Sequence, residues 1–252
     1  MDWFLANLPF VLELSGHHLY QSVLPLVLGL LISVPLGYLA WRLPSVRGVI
    51  LSVSSVLYTI PSLALFVILP VILGTRILDP ANLIVALTVY AIALLVRSVV
   101  DALESIDDGV RQAAVAMGYR PFRRFFAVDL PLAVPVLFAG LRVVSVSNIS
   151  LASVGALIGI RNLGVLFTDG LLRHFLTEIV VGIVMTLVLA LLMDFVLVGL
   201  EHLLTPWNRH RKARSKQVLV ATTGPDNSGS GDSAGTARRP DAAETAVLHE
   251  SL

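Results

Sequence analysis

From Gln21 to Trp41 the chain runs for 21 residues without a charged side chain, and from Gly48 to Thr75 it runs for 28. Few folds can hold such runs. A helix rising about 1.5 Å per residue crosses a hydrocarbon core of about 30 Å in about 20 residues, with every backbone N–H and C=O satisfied inside its own segment. The first run is long enough for one crossing. The second is long for a straight one, and Pro61 near its middle is expected to kink it. Three further apolar stretches follow at residues 81–96, 136–158 and 179–200. With 56% hydrophobic and 14% charged residues and a mean hydropathy of +0.85, the composition lies outside the range of soluble domains. The expectation is an all-α membrane protein with five transmembrane helices over residues 1–206. A tail over 207–252 follows, basic at first and then rich in Gly, Ser, Asp, Pro and Ala, a composition expected to stay disordered.

The ends of the runs are read from charge. Residues 1–19 hold Asp2 and Glu13 but no Lys or Arg, which argues against a signal peptide, and Trp3, Phe4, Phe10 and Tyr20 suit a segment lying at the interface. Residues 159–177 read as a loop. Fourteen Lys and Arg fall on one side: Arg42 and Arg47, Arg97 with the arginines of 111–124, and the tail. Three (Arg76, Arg161, Arg173) fall on the other, and Arg142 lies within a span. The basic side is cytoplasmic. This predicts a multi-pass plasma-membrane protein with its N-terminus outside and its C-terminus inside the cell.

Between the third and fourth spans lies RQAAVAMGYRPFRRFFAVDLP, residues 111–131. Val110, Ala113, Ala114 and Met117 recur at helical spacing and form a small apolar stripe. Gly118 suits a helix end that needs positive φ, and Pro121 suits the first turn of a second helix. There Phe122, Phe125 and Phe126 are expected on one face, with Arg120, Arg123 and Arg124 roughly opposite and Pro131 as the stop. The acids Glu104, Asp107 and Asp108 just before are read as caps, favoured by the positive helix N-terminus.

Gln112-Ala113-Ala114, Gly118, Val128 and Leu130-Pro131 resemble in spacing the EAA motif of ABC importer permeases. Two positions depart from it, with Gln112 in place of Glu and Val128 in place of Ile; the first removes any salt bridge made by that Glu. The resemblance implies a type I ABC importer permease fold, with a cytoplasmic coupling helix that docks on an ATPase subunit through Val110, Gln112, Ala113, Ala114, Met117, Gly118, Leu130 and Pro131. It also implies the partners: two ABC ATPase subunits, a second permease copy or paralogue, an extracytoplasmic solute-binding protein and membrane lipid. No nucleic acid, cofactor or metal is called for. Tyr58-Thr59-Ile60-Pro61-Ser62-Leu63-Ala64-Leu65, and Gly140-Leu141-Arg142-Val143 running on to Ala156-Leu157-Ile158-Gly159 and Asn162-Leu163-Gly164, look like the subgroup that imports glycine betaine, choline, carnitine and related osmoprotectants.

No enzyme signature stands out. Both Lys residues lie in the tail, so no phosphate-cradling glycine loop ends in one, and no Cys is present to act as nucleophile or ligand. His17 and His18 are adjacent and point apart on a helix. Tyr58, Thr59, Pro61, Ser62, Ser147 and Asn148 are candidates to line a translocation path, although small hydroxyl residues equally permit close helix packing. Two charges remain inside spans. Arg142 and Asp194 are expected at equal depth, which allows an ion pair; otherwise Arg142 snorkels to the headgroups and Asp194 is protonated or bonds a hydroxyl. Alternatives to an osmoprotectant permease are one for another small solute, such as an amino acid, and an ion-coupled secondary transporter.

Overall fold

The computed structural model describes residues 2–206, and every described element is helical. A short α1 (Asp2–Ala6) leads into α2 (Leu8–Arg42), followed by α3 (Pro44–Thr59) and α4 (Ser62–Leu73). Next come α5 (Pro80–Glu104), α6 (Asp108–Ala116) and α7 (Pro121–Arg124). A π-turn over Phe125–Asp129 then runs into α8 (Leu130–Val154), and a 3-10 turn, α9 (Gly164–Leu172) and α10 (Leu176–Leu204) complete the fold. Four helical segments are long and apolar enough to cross a bilayer, and α3 with α4 makes a fifth if that bent pair is one span. The all-α, five-span reading therefore holds. The tail expected from residue 207 lies outside the described residues.

Four details differ from the sequence reading. First, Leu8–Tyr20 is not a segment separate from the first span. It is the start of α2, whose 35 residues extend about 52 Å. Val11 and Leu14 are fully buried against Leu163, Leu166 and Leu189, so this end of α2 has protein neighbours.

Second, Pro61 breaks its helix outright. The axes of α3 and α4 meet at 101°. The residue before a proline is pushed out of the helical region, and Ile60 sits at ψ 128°. The Tyr90 hydroxyl donates to the Ile60 carbonyl at 2.5 Å, satisfying one of the groups the break frees.

Third, the expected loop at 159–177 contains α9. Gly159, at φ 84°, turns the chain, and Asn162 closes the turn by accepting from the Gly164 N–H at 2.8 Å. Its amide donates to Gln21 Oε1 at 3.0 Å and to the Ala152 carbonyl at 2.8 Å, tying α2 to the end of α8.

Fourth, Pro131 does not end a helix; it lies in the first turn of α8. The Leu130 N–H bonds to the Phe125 carbonyl, five residues back, and this widened turn carries the chain from α7 into α8.

The core is built around α5, where Leu83, Leu87, Ala91, Leu95 and Val99 are buried. Its seam with α2 depends on small residues. A Cβ at Gly29 would sit 2.5 Å from the Ala91 Cβ, and one at Gly37 would sit 2.5 Å from Val99 Cγ1. Within a bilayer, close packing of this kind replaces the hydrophobic drive that holds soluble helices together. Gly37→Leu is therefore expected to wedge α2 from α5 at an overpacking cost of about 1–3 kcal/mol. Thermal unfolding of the detergent-solubilised protein should show a lowered midpoint. An unchanged midpoint would show that α2 has room the geometry denies it.

Candidate functional site

The polar end of the bundle is built by the segment after α5. Asp107 caps α6, its Oδ1 accepting from the Gly109 N–H at 2.7 Å. At the far end the Gly118 and Tyr119 N–H groups turn back to the Val115 and Ala114 carbonyls, with Gly118 at φ 82°. Arg120, at ψ 153° ahead of a proline, then leads into α7, which Pro121 opens.

This segment has two sides. Val110, Gln112, Ala113, Val115, Ala116, Met117 and Gly118 of the first half are exposed, as are Phe122 and Phe126 of the second. Met117 is 71% and Phe122 75% exposed, and the Phe122 and Phe126 rings lie 4.9 Å apart. An apolar ridge at the charged end of a bundle marks a surface made to be covered.

The underside anchors it. Ala114 is 1% exposed, so it faces inward and leaves the expected stripe. Phe125 is likewise buried, stacked 4.4 Å from Tyr38 of α2, which removes it from the face it was expected to share with Phe122 and Phe126. Leu130 and Pro131 open α8, half-buried beneath the ridge.

Asp129 is 0% exposed between two arginines. Arg124 Nε donates to its Oδ2 at 3.1 Å. Arg111 Nε faces its Oδ1 at 3.7 Å, and neither of those atoms has a hydrogen-bond partner. Arg111 also lies 4.7 Å over the Trp41 ring of α2, donates to the Leu103 carbonyl of α5, and pairs with Asp108 at 2.9 Å. The guanidinium of Arg111 thus joins the ridge to α2, α5 and the root of α8. Sequence reasoning missed this cluster. The available signal was Asp129 itself, the single acid in a stretch holding four arginines. At the same end, Arg47 of α3 donates to Glu104 at the end of α5 at 2.5 Å, so Glu104 is a tie to α3 and no cap.

The remaining sequence candidates fall elsewhere. Tyr58, Thr59 and Pro61 are exposed and Ser62 half-buried at the corner of α3 and α4, with the Tyr58 ring edge-on to Tyr90 at 5.9 Å. Ser147 is half-buried on α8. Asn148 is buried, its amide donating to the Ser22 carbonyl of α2 at 3.4 Å, a tie between helices. His18, beside it in the fold, is also buried, with Nε2 at 2.9 Å from the Ile149 carbonyl. Arg142 and Asp194 come together in bidentate geometry, with Nε to Oδ1 at 2.6 Å and Nη2 to Oδ2 at 2.8 Å. No group of three or more potential metal ligands occurs among the described residues.

Residues 26–210 match the family described as binding-protein-dependent transport system inner membrane component. The osmoprotectant import permease protein OsmW of Salmonella typhimurium is 33% identical over 210 residues, covering 82% of this chain and 97% of that one. The carnitine transport permease protein OpuCB of Listeria monocytogenes is 32% identical, covering 82% and 93%. The choline transport system permease protein OpuBB of Bacillus subtilis is 31% identical, covering 77% and 88%. Among solved structures, an inward-facing MetNI methionine ABC transporter superposes with a TM-score of 0.72 at 23% identity, over 79% of this chain and 98% of that one. An amino acid ABC transporter with histidines gives 0.63 at 15%, over 81% and 96%. The fold is therefore that of type I ABC importer permeases, multi-pass proteins of the plasma membrane that are not themselves enzymes. With the match spanning most of the chain, it belongs to the binding-protein-dependent transport system inner membrane components.

Proposed function

We propose that this permease imports quaternary ammonium osmoprotectants, such as glycine betaine, choline or carnitine. It acts as one half of a permease pair, with two ATPase subunits on the α6–α7 end and a solute-binding protein on the other. The observation that carries the docking role is the exposed ridge of Val110, Met117 and Phe122, fastened from below to α2, α5 and α8 through Arg111 and Asp129. A push on that ridge reaches three spanning helices. Gln112 is exposed on the same surface, so it reaches a partner by hydrogen bonding without the charge that relatives with Glu would bring. The charge asymmetry of the loops supports a cytoplasmic ridge and an N-terminus outside. The names of the three relatives support the solute class.

The test is uptake by proteoliposomes holding the complete complex, made with an ATPase and a solute-binding protein that assemble with this chain. Radiolabelled glycine betaine or choline should accumulate only with ATP on the ATPase side, and an ion gradient alone should drive none. Accumulation on an ion gradient without ATP would overturn the coupling. ATP-driven uptake of an amino acid, with neither labelled osmoprotectant transported, would overturn the solute class.

A further inference from the structure

Arg142 and Asp194 form an ion pair that is not sealed. Their side chains keep 41% and 28% of their exposure. Asp194 lies about 15 Å from the end of α10, and α10 at about 44 Å outreaches a hydrocarbon core of about 30 Å. The pair therefore sits in the half of the core nearer the α6–α7 end, where a charge facing lipid costs less than the about 2.5–3.5 kcal/mol that insertion scales give at mid-span. In the chain taken alone, a partly open pair at that depth calls for a polar neighbour: water, a polar solute or a second permease copy.

A groove opens next to it. Val146, Ser150 and Ser153 of α8, Thr186 and Ala190 of α10, and Phe167 of α9 line a space of about 330 Å³, within the roughly 300–1,000 Å³ usual for small-molecule sites. Val146 is four residues from Arg142 and Ala190 four from Asp194, so the pair lies one helical turn below the groove. The Ser153 and Thr186 hydroxyls donate to carbonyls of their own helices, Ser150 at 2.5 Å and Gly182 at 2.8 Å, leaving their oxygens as acceptors. The rest of the lining is largely aliphatic with one aromatic ring. Such walls suit a cation clad in methyl groups, which has no N–H to donate and is attracted to ring faces.

We infer that the Arg142–Asp194 pair is a transient binding site for a zwitterion bearing a carboxylate and a quaternary ammonium, reached through the groove between α8 and α10. This rests on the solute class proposed above. Nε and Nη2 of Arg142 already hold a carboxylate in the two-pronged geometry that a guanidinium favours. The solute carboxylate takes the place of Asp194 on that fork, and the released Asp194 faces the ammonium. Two opposite charges stand there before the exchange and four in two pairs after it, so the site stays neutral throughout. No unpaired charge is carried into the low-dielectric zone.

The experiment compares labelled glycine betaine, a zwitterion, with labelled choline, a cation without a carboxylate, in the complete complex. Arg142→Gln should lower the glycine betaine to choline uptake ratio by about tenfold, the scale of one hydrogen-bonded charge contact. Asp194→Asn should move the ratio the other way, because choline depends on that carboxylate alone. A structural role would reduce both solutes together and leave the ratio unchanged in both variants, which would overturn the inference. Where a single variant fails to insert, Arg142→Gln with Asp194→Asn leaves no orphaned charge. Inserted at the wild-type level, it should lose about tenfold of glycine betaine uptake, and full uptake would overturn the inference. A wild-type complex that transports neither solute would overturn the solute class first, and this site with it.

Discussion

Gly118→Asp is expected to abolish ATP-driven uptake while leaving the protein inserted and folded. Gly118 turns the chain at φ 82° between α6 and α7, at an exposed position where a Cβ would have no other atom within 4 Å. Asp is among the few residues that tolerate a left-handed backbone, so the turn itself survives the change at modest cost. What changes is the surface. A carboxylate appears amid exposed Ala113, Met117 and Phe122, and a partner that buries this ridge would have to desolvate it. Loss of docking then shows as basal ATPase activity that no longer drives uptake, with wild-type amounts of permease in the membrane. Gly118→Asn separates the causes: it matches Asp in shape and backbone tolerance without the charge, and should retain more uptake. Normal uptake by Gly118→Asp would remove this surface from the docking site.

The part of this site legible in the sequence is the part written in local chemistry. Gly118 demands its turn, Pro121 its helix start and Asp107 its cap, and each lies where its backbone preference puts it. The uncharged runs likewise located the spans, because a bilayer leaves the backbone few options. What the sequence hid depends on which way a side chain rolls once neighbours are present. Ala114 was grouped with Met117 by helical spacing, yet in the nine residues of α6 it is the one that turns under and is buried. Phe125, where the π-turn begins, packs inward on Tyr38 of α2 while Phe126 stays beside Phe122, a choice set by the tertiary neighbour and not by spacing. Pro131 reads as a stop under α-helical spacing because the π-turn that carries the chain into α8 leaves no mark in the pattern. The 101° corner at Pro61 was legible as a bend but not in size, and the Tyr90 hydroxyl that meets the Ile60 carbonyl there comes from 30 residues further on. The Arg142–Asp194 contact needed the mutual rotation of α8 and α10, which periodicity in nearly uniform apolar helices leaves open.

Asp129→Ala is expected to uncouple the permease and destabilise it together. Asp129 is fully buried, and Arg111 and Arg124, largely buried themselves, would lose their shared counter-ion. Removing one member of a buried ion pair costs about 3–5 kcal/mol, because the remaining charge stays in a poor solvent. The expected thermal midpoint of the detergent-solubilised variant is therefore well below wild type. The functional loss follows from what Arg111 touches. Its guanidinium lies over Trp41 of α2, meets the Leu103 carbonyl of α5 and faces Asp129 at the root of α8. Without Asp129 the ridge keeps its exposed face but loses its fastening to α8, so force applied to it is no longer delivered to that span. Stability and coupling can be separated by Arg111→Met with Asp129→Leu and Arg124→Met, which removes all three charges and fills the space with apolar volume. That variant should recover much of the thermal midpoint, as apolar replacements of buried ion clusters do, yet still hydrolyse more ATP per solute transported than wild type. Recovery of the wild-type ATP-to-solute ratio along with the midpoint would show that the cluster holds the fold and transmits nothing.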